Sequence, residues 1–526
     1  MPIKTLILDD EQIWRNQLTE LLEEEGHIVQ SAENLAQARE RLANGQFHLA
    51  VLDILLEGKN FHVEGDESGL DLLKDISRLN QEPGRFCGPI VVTGNATLGN
   101  AIQALRQGTF AFLLEESYPT ALKRGRDGRG FVEQEFLEAT RKVLQRVLLE
   151  RSRLYEQNQY TLRFDLVPGQ KIRADLSGPV SFSLDSTRVI DLQIDKFADR
   201  ADDLQFHFQA TSKDQRRKWR VRARDIGGDL YKELFVDDAE LASCLAESRV
   251  RSSGPLHTIF RGSQDLIRLP LELLPGETGY LAIENPLVRQ ISGVRATRKR
   301  GIDRVFLNQT SEVKILLIGS NTTPSIPGAD EEITLLSETL PKLFQSRGFN
   351  CSVRTVPTEE ASYENIRDCL NRCQYHIVHY AGHGFHDERN PDESGIVFWE
   401  KPNSSGNIKP MPVHVLRSLL SHSDTRFFYL SCCVGAKGAS DASIRLNGND
   451  FQGIVEGLVR TGVPGVLGYR WNVWDTEAKQ LALAFYENLL TDLRLDLALF
   501  NARRVLQENN YYNETWASPV LVTQSL

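Results

Sequence analysis

A histidine and a cysteine fifty residues apart, each closing an apolar run, are the residues of this chain best suited to bond-breaking chemistry. The first run is Gln374-Tyr-His-Ile-Val-His-Tyr-Ala-Gly-His383-Gly384 and the second is Thr425-Arg-Phe-Phe-Tyr-Leu-Ser-Cys432-Cys433-Val-Gly435. An apolar run that stops at a polar residue beside glycine is the pattern of a buried strand delivering a side chain to the mouth of a sheet. Two such strands in order place an imidazole beside a thiol, the minimum for an activated thiolate nucleophile. Cys433 is the better nucleophile of the adjacent pair. Gly435, two residues on, lets backbone N–H groups approach an attacked carbonyl, whereas Cys432 at a strand end points into the sheet as a small apolar residue. His383 sits between Gly382 and Gly384, and the N–H groups of Gly384 and Cys433 are the candidate oxyanion donors. His379, four residues before His383, shares its strand face and reads as a hydrogen-bonded core histidine.

The N-terminus carries a second group. Lys4-Thr-Leu-Ile-Leu8 ends in Asp9-Asp10, Ala50-Val-Leu52 ends in Asp53, and Gly88-Pro-Ile-Val-Val92 ends in Thr93-Gly94. Strands alternating with helical segments predict a parallel sheet with its ligands outside the carboxyl ends of the strands. Three carboxylates gathered there repel one another unless a divalent cation lies among them, and hard oxygen donors suit Mg²⁺. The arrangement resembles a response-regulator receiver domain, over residues 1–124. The resemblance implies a doubly wound (βα)5 fold in which Asp53 accepts a phosphoryl group from a sensor histidine kinase or another phosphodonor. It also implies that Asp9, Asp10 and Asp53 hold Mg²⁺, that Thr93 hydrogen-bonds the phosphoryl oxygens, and that Phe112 is the switch aromatic. One position departs from the family. A Lys-Pro pair is expected three residues after the aromatic, and Glu115-Glu116 stands there. A Glu opposes the added phosphoryl charge, so either the receiver serves only as a docking or dimerisation module, or Lys123 or Arg124 supplies the missing cation.

At 526 residues, two to four domains are expected. The composition, 41% hydrophobic and 25% charged, is that of an ordinary globular protein. The net charge of −10 argues against nucleic acid as the main partner. No apolar stretch approaches membrane-spanning length and no apolar signal core opens the chain, so no membrane association and a cytoplasmic location are expected. Seven scattered cysteines do not form a disulfide framework.

Residues 125–158 hold a Gly-Arg-Asp-Gly-Arg-Gly break and then an amphipathic helix with Phe136, Val143, Leu144, Val147 and Leu148 at helical spacing. That helix either transmits a signal or dimerises as a short coiled coil, or it packs on its own receiver. A homodimer through the receiver or this helix is the expected self-association. Residues 159–304 read as β-rich at first. Tyr160 to Leu166, Val189 to Ile194 and Leu204 to Ala210 alternate apolar and polar, and so does Arg216-Arg-Lys-Trp-Arg-Val-Arg-Ala-Arg224, predicted to be a strand with one basic face, solvated or docking an acidic partner. Helix-turn-helix and zinc-finger spacings are missing, so a transcription-factor output loses support. Residues 305–526 read as a further α/β unit. Val313 to Gly319, Asn350 to Val356, the two runs above and Val466 to Trp471 are its strands, Gly395 to Trp399 opens a hairpin between the two runs, and two helices finish the chain.

His-Tyr-Ala-Gly-His383-Gly384 and Leu-Ser-Cys-Cys433 with a following Gly are similar to the CHAT family of caspase-like cysteine peptidases, relatives of separase. So are Leu269-Pro-Leu-Glu-Leu-Leu274, Gly462-Val-Pro-Gly-Val-Leu-Gly-Tyr-Arg-Trp-Asn-Val473 and Ala517-Ser-Pro-Val-Leu-Val522. Caspase signatures likewise place the His about fifty residues before the Cys. The resemblance implies a three-layer α/β domain in which a catalytically silent, caspase-like half (159–304) packs on an active half (305–526). It implies a Cys433–His383 dyad that cleaves protein substrates, without a cofactor in that domain. Target-recognising helical repeats, common in the family, are replaced here by the receiver.

Substrate preference is open. Asp330, Glu331 and Glu332 either line an acidic pocket for a substrate Arg or Lys, or are first-turn helix residues favoured by the dipole; position 431 is Ser where basic-specific relatives often have Asp. A zinc site built from His383, His386, Cys432 and Cys433 lacks suitable spacing. The reading favoured is a signal-regulated cysteine endopeptidase gated through its receiver, with Arg295 to Arg304 as a self-processing site. The alternative is a non-catalytic adaptor or scaffold with an unused dyad.

Overall fold

The computed structural model describes residues 2–53, 56, 69–82, 85–93, 104–106, 108–114, 133–166, 169, 171–189, 192–204, 213–236, 238–252, 254–292, 301–307, 312–322, 325–385, 390, 393–402, 407–433, 449–460, 462–471, 473–509 and 514–524. Its contacts divide it into two compact units, one of 1–158 with 342–350 and 490–492, the other of the remaining residues.

In the first unit, β1 (Ile3–Leu8), β2 (His27–Ala32), β3 (Leu49–Leu52), β4 (Gly88–Thr93) and β5 (Ala111–Leu114) form a parallel sheet in the order β2-β1-β3-β4-β5. β3 and β4 are buried throughout, as parallel strands covered on both faces must be. Helices Gln12–Glu24, Leu35–Asn44 and Gly69–Leu79 connect the strands, the last burying Leu70, Leu72, Leu73 and Ile76 on one stripe. The order reverses at β1 and β3, so the crevice at their carboxyl ends is the natural ligand position. The amphipathic helix runs Glu133–Asn158 and packs on this sheet. Its buried side includes Phe136, Val143, Leu144, Val147 and Leu148, and a Cβ on Gly88 of β4 would lie 2.5 Å from Val147.

Among the described residues, the second unit is built on a 13-stranded mixed sheet. One end comprises β6 (Thr161–Leu166), β7 (Lys171–Ser177), β8 (Phe182–Val189), β9 (His257–Gly262) and β10 (Leu287–Ile291). The other comprises β11 (Val313–Ser320), β12 (Cys351–Val356), β13 (Ile377–Phe385), β16 (Phe427–Cys433), β17 (Gly465–Tyr469) and β18 (Pro519–Thr523). The path β12-β11-β13-β16-β17-β18-β10-β9-β6-β7-β8 joins the two ends through the parallel pairing of β18 with β10. β14 (Gly395–Trp399) and β15 (Ile408–Pro412) pair antiparallel as the expected hairpin, and β14 pairs antiparallel with the tip of β13. β17 and β18 are wholly buried, as is β13 from Ile377 to His383, whereas β6 and β7 alternate buried and accessible residues in the manner of a one-sided sheet.

Three expectations are corrected. Arg216 to Arg224 belongs to the helix Lys213–Tyr231, not to a strand. The buried positions Trp219, Ala223, Ile226 and Leu230 follow the i, i+4, i+7, i+11 spacing of a helix, and nine residues of alternating Arg fit either period until the next turn is counted. The run from Val189 to Ile194 is not one strand either, since β8 ends at Val189 and a helix begins at Ile194. The last element among the described residues is β18, which follows the two expected helices Asp475–Asp492 and Leu495–Asn509 and pairs antiparallel with β17. The Gly-rich break at 125–130, Glu115-Glu116, Lys123, Arg124, His386 and most of Arg295 to Arg304 lie outside the described residues.

Candidate functional site

β13 and β16 are neighbouring parallel strands, and the ladder between them pairs His379 with Tyr429, Ala381 with Ser431, Gly382 with Cys432 and His383 with Cys433. Histidine and cysteine are thus directly opposite at the carboxyl ends of two central strands, which is where an α/β sheet presents its ligands. His383 is 7% exposed and Cys432 is 2% exposed. The side chain of Cys433 is outside the described residues, and the register concerns its backbone alone.

The β13 tip is held from beneath. The Tyr380 hydroxyl reaches the carbonyls of His383 at 2.8 Å and Val397 at 2.9 Å. Burial raises the Tyr380 phenol well above its ordinary range, so it stays protonated and able to donate. Gly382 is required for this packing, because a Cβ there would lie 2.6 Å from the Tyr380 hydroxyl and 2.8 Å from the Ser320 carbonyl. Gly384 pairs with Ile396 of β14, and its missing Cβ faces Ile454 and the Cys432 sulfur.

The three acids of the Pro327–Ser346 helix enter three different environments. Asp330 accepts from Asn321 Nδ2 at 3.0 Å and from the Thr358 hydroxyl. Glu331 is exposed and paired with Lys479. Glu332 is buried, at 3% exposure, and accepts from Ser431 Oγ at 2.8 Å and from His379 Nε2 at 2.9 Å. His379 is a satisfied core histidine, with Nδ1 3.1 Å from the Tyr486 hydroxyl and its ring stacked on Tyr429 at 4.4 Å. The tie between Glu332 and Ser431 was not legible in sequence, since ninety-nine residues separate them.

In the first unit, Asp9, Asp10 and Asp53 each offer a carboxylate oxygen within 4.8 Å of the others. Asp9 Oδ1 accepts from the Glu11 N–H at 2.8 Å, and the Asp53 N–H donates to the Leu8 carbonyl at 2.8 Å, which ties the ends of β1 and β3 together. An all-oxygen set of this spacing fits a hard divalent cation such as Mg²⁺. Thr93 is fully buried at the end of β4, and Phe112 lies in β5, with its Cα paired to that of Val91.

These features define a two-part signalling protein, an N-terminal receiver followed by a mixed α/β domain. A family model for the response regulator receiver domain matches residues 5–124, and one for the CHAT domain matches residues 225–524. The second match spans more than half of the chain, and the protein belongs to the CHAT domain family. Among curated proteins, the sensory transduction protein LytR of Staphylococcus haemolyticus is 39% identical over 83 residues, 15% of this chain and 29% of that protein. The response regulator protein PilR of Pseudomonas aeruginosa is 35% identical over 129 residues, 23% of this chain and 26% of that protein. The chain thus spans between a quarter and a third of the length of these relatives. Among solved structures, a CheY-like receiver domain protein from Methanospirillum hungatei is 25% identical with a TM-score of 0.22, over 29% of this chain and 98% of that one. A Burkholderia pseudomallei response regulator with a phosphorylated aspartic acid, calcium ion and citrate is 22% identical with a TM-score of 0.21, over 30% of this chain and 78% of that one. Among the described residues no helix is long and apolar enough to cross a membrane.

Proposed function

We propose that this protein is a cysteine endopeptidase whose activity answers to its receiver domain. The observation that carries the reading is the register of β13 and β16, which pairs the Cα of His383 with that of Cys433 near the carboxyl ends of two neighbouring parallel strands. His383 takes the proton of the Cys433 thiol, and the thiolate attacks the scissile carbonyl of a protein substrate. Backbone N–H groups of Gly384 and Cys433 hold the oxyanion of the tetrahedral intermediate. The C–N bond then breaks, His383 returns its proton to the leaving amine, and water hydrolyses the acyl-enzyme. Of Asp330, Glu331 and Glu332, Glu331 is the exposed one, and it is the one able to exchange its Lys479 partner for a basic substrate residue.

On the receiver, Asp53 takes a phosphoryl group from a histidine kinase or a small phosphodonor, Asp9 and Asp10 join it in holding Mg²⁺, and Thr93 binds the phosphoryl oxygens. Phe112 repacks with the phosphorylated state, which shifts the balance between inactive and active protease conformations.

The test is cleavage of a diverse peptide library by the full-length protein and its Cys433→Ala and His383→Ala variants, each with and without Mg²⁺ and a small phosphodonor. The expected result is cleavage by the wild type, none by Cys433→Ala, and a loss of about a hundredfold or more for His383→Ala. Asp53→Asn should remove the response to the phosphodonor while leaving basal cleavage intact. Equal cleavage by wild type and Cys433→Ala would assign the hydrolysis to another source, and a wild type inactive in every condition favours a scaffold.

A further inference from the structure

Behind the paired strand tips lies a buried carboxylate that the proposed chemistry does not use. Glu332 spans two strands at once, taking one hydrogen bond from Ser431 on β16 and one from His379 on β13. Ser431 stands two residues before Cys433, and His379 stands four before His383. The side chain repeats every second residue along a strand, so positions 379, 381 and 383 lie on one side of β13, and 429 and 431 on one side of β16. Small Ala381, opposite Ser431 in the ladder, separates the two histidines on that side and leaves room for the carboxylate. The network is closed on its far side by Tyr486 and Tyr429, both fully buried.

Burying a carboxylate is costly even when it is hydrogen-bonded, and apolar side chains fill such space without that cost. What the carboxylate adds here is geometry, because its two oxygens fix two strands relative to each other through a third element, the Pro327–Ser346 helix. We propose that Glu332 is a positioning residue, a cross-tie that holds the tips of β13 and β16 at the separation the His383–Cys433 pair needs. The proposal rests on the Cys–His reading above and deepens it. It places Glu332 behind the reacting groups and away from the substrate rim.

The experiment measures how fast Cys433 is alkylated by iodoacetamide in the full-length protein at fixed neutral pH, with the labelled residue located by fragment mass spectrometry. Wild type, His383→Ala, Glu332→Met and Ser431→Ala are compared. The His383→Ala rate sets the floor of an unassisted thiol. Misplacing paired groups by an ångström is enough to lose most of their assistance. Glu332→Met is therefore expected to slow alkylation by about tenfold or more, towards that floor. Ser431→Ala, which cuts only one arm of the tie, should fall between. The buried cysteines Cys244 and Cys369, in the same unit as Glu332, serve as internal controls, since a merely structural defect makes them reactive while a positioning defect leaves them protected. If Glu332→Met exposes them, Ser431→Ala decides. Wild-type rates in both variants, with His383→Ala slow, would overturn the cross-tie and leave the dyad standing. A His383→Ala rate equal to wild type would instead remove the dyad itself, and the cross-tie with it.

Discussion

At the scale of single residues, the buried ionisable groups tell where charge is tolerated. Asp202, at the end of the Ile194–Asp202 helix, is pushed up to about 6 by burial, which outweighs the opposing pull of Arg470 and Arg268. Its folded pKa lies above its unfolded value of 3.8. The neutral form therefore favours folding at low pH, and that advantage is lost as pH rises from about 4 through about 6. Asp202→Asn is expected to stabilise the protein at pH 7 by on the order of 1 kcal/mol, with the gain vanishing near pH 4. Thermal unfolding of both proteins at several pH values checks this, and a gain that persists at pH 4 would contradict it. Asp496 shows the opposite balance. Burial drives its pKa up, but Arg494, His257 and the Leu497 N–H bring it down to about 2, so this carboxylate is a charged partner and not a liability.

At the scale of elements, β13 illustrates how tightly the candidate site is built. Its tip depends on the Tyr380 hydroxyl bridging the His383 and Val397 carbonyls across a gap that only glycine at 382 leaves open. Gly382→Ala is expected to destabilise the protein by about 1–3 kcal/mol through overpacking. It should also lower the assisted reactivity of Cys433 more than a control such as Gly228→Ala, where nothing lies within 4 Å of the new Cβ. Denaturant melts and thiol alkylation of the two variants give the comparison. The Lys213–Tyr231 helix makes a different point. Its Arg-rich outer positions and its buried Trp219, which meets Trp471 edge-on at 5.9 Å, belong to one element whose core stripe has the helical period.

At the scale of the molecule, two compact units with separate sheets predict two unfolding transitions rather than one. A cation held by Asp9, Asp10 and Asp53 stabilises only the folded receiver, so Mg²⁺ should raise one transition and leave the other in place. At a hundredfold excess over its dissociation constant the gain is about 2.7 kcal/mol. Calorimetry with Mg²⁺, with a chelator, and with Asp53→Asn tests the assignment. The shift should disappear on chelation and shrink in the variant, and a shift shared equally by both transitions would place the cation elsewhere.

The sequence alone determined the class of the fold and, to within a few residues, where several buried strands end, because buried parallel strands are written as continuous apolar runs that stop abruptly. Asp9-Asp10, Asp53, Thr93, His383 and Cys433 were all legible for that reason, as was the hairpin between β13 and β16. It did not settle the stretch from Arg216 to Arg224, where alternating arginines fit both a strand and a helix until Trp219, Ala223 and Ile226 find a common core. Nor could it sort Asp330, Glu331 and Glu332, three adjacent acids with one chemistry and three fates. Only the tertiary structure turned Glu332 inward to Ser431 and His379, left Glu331 exposed beside Lys479, and bound Asp330 to Asn321 and Thr358. The physical reason is that a run of apolar residues reports its own burial, whereas a charged side chain takes its role from partners brought to it by strands and helices distant in the chain.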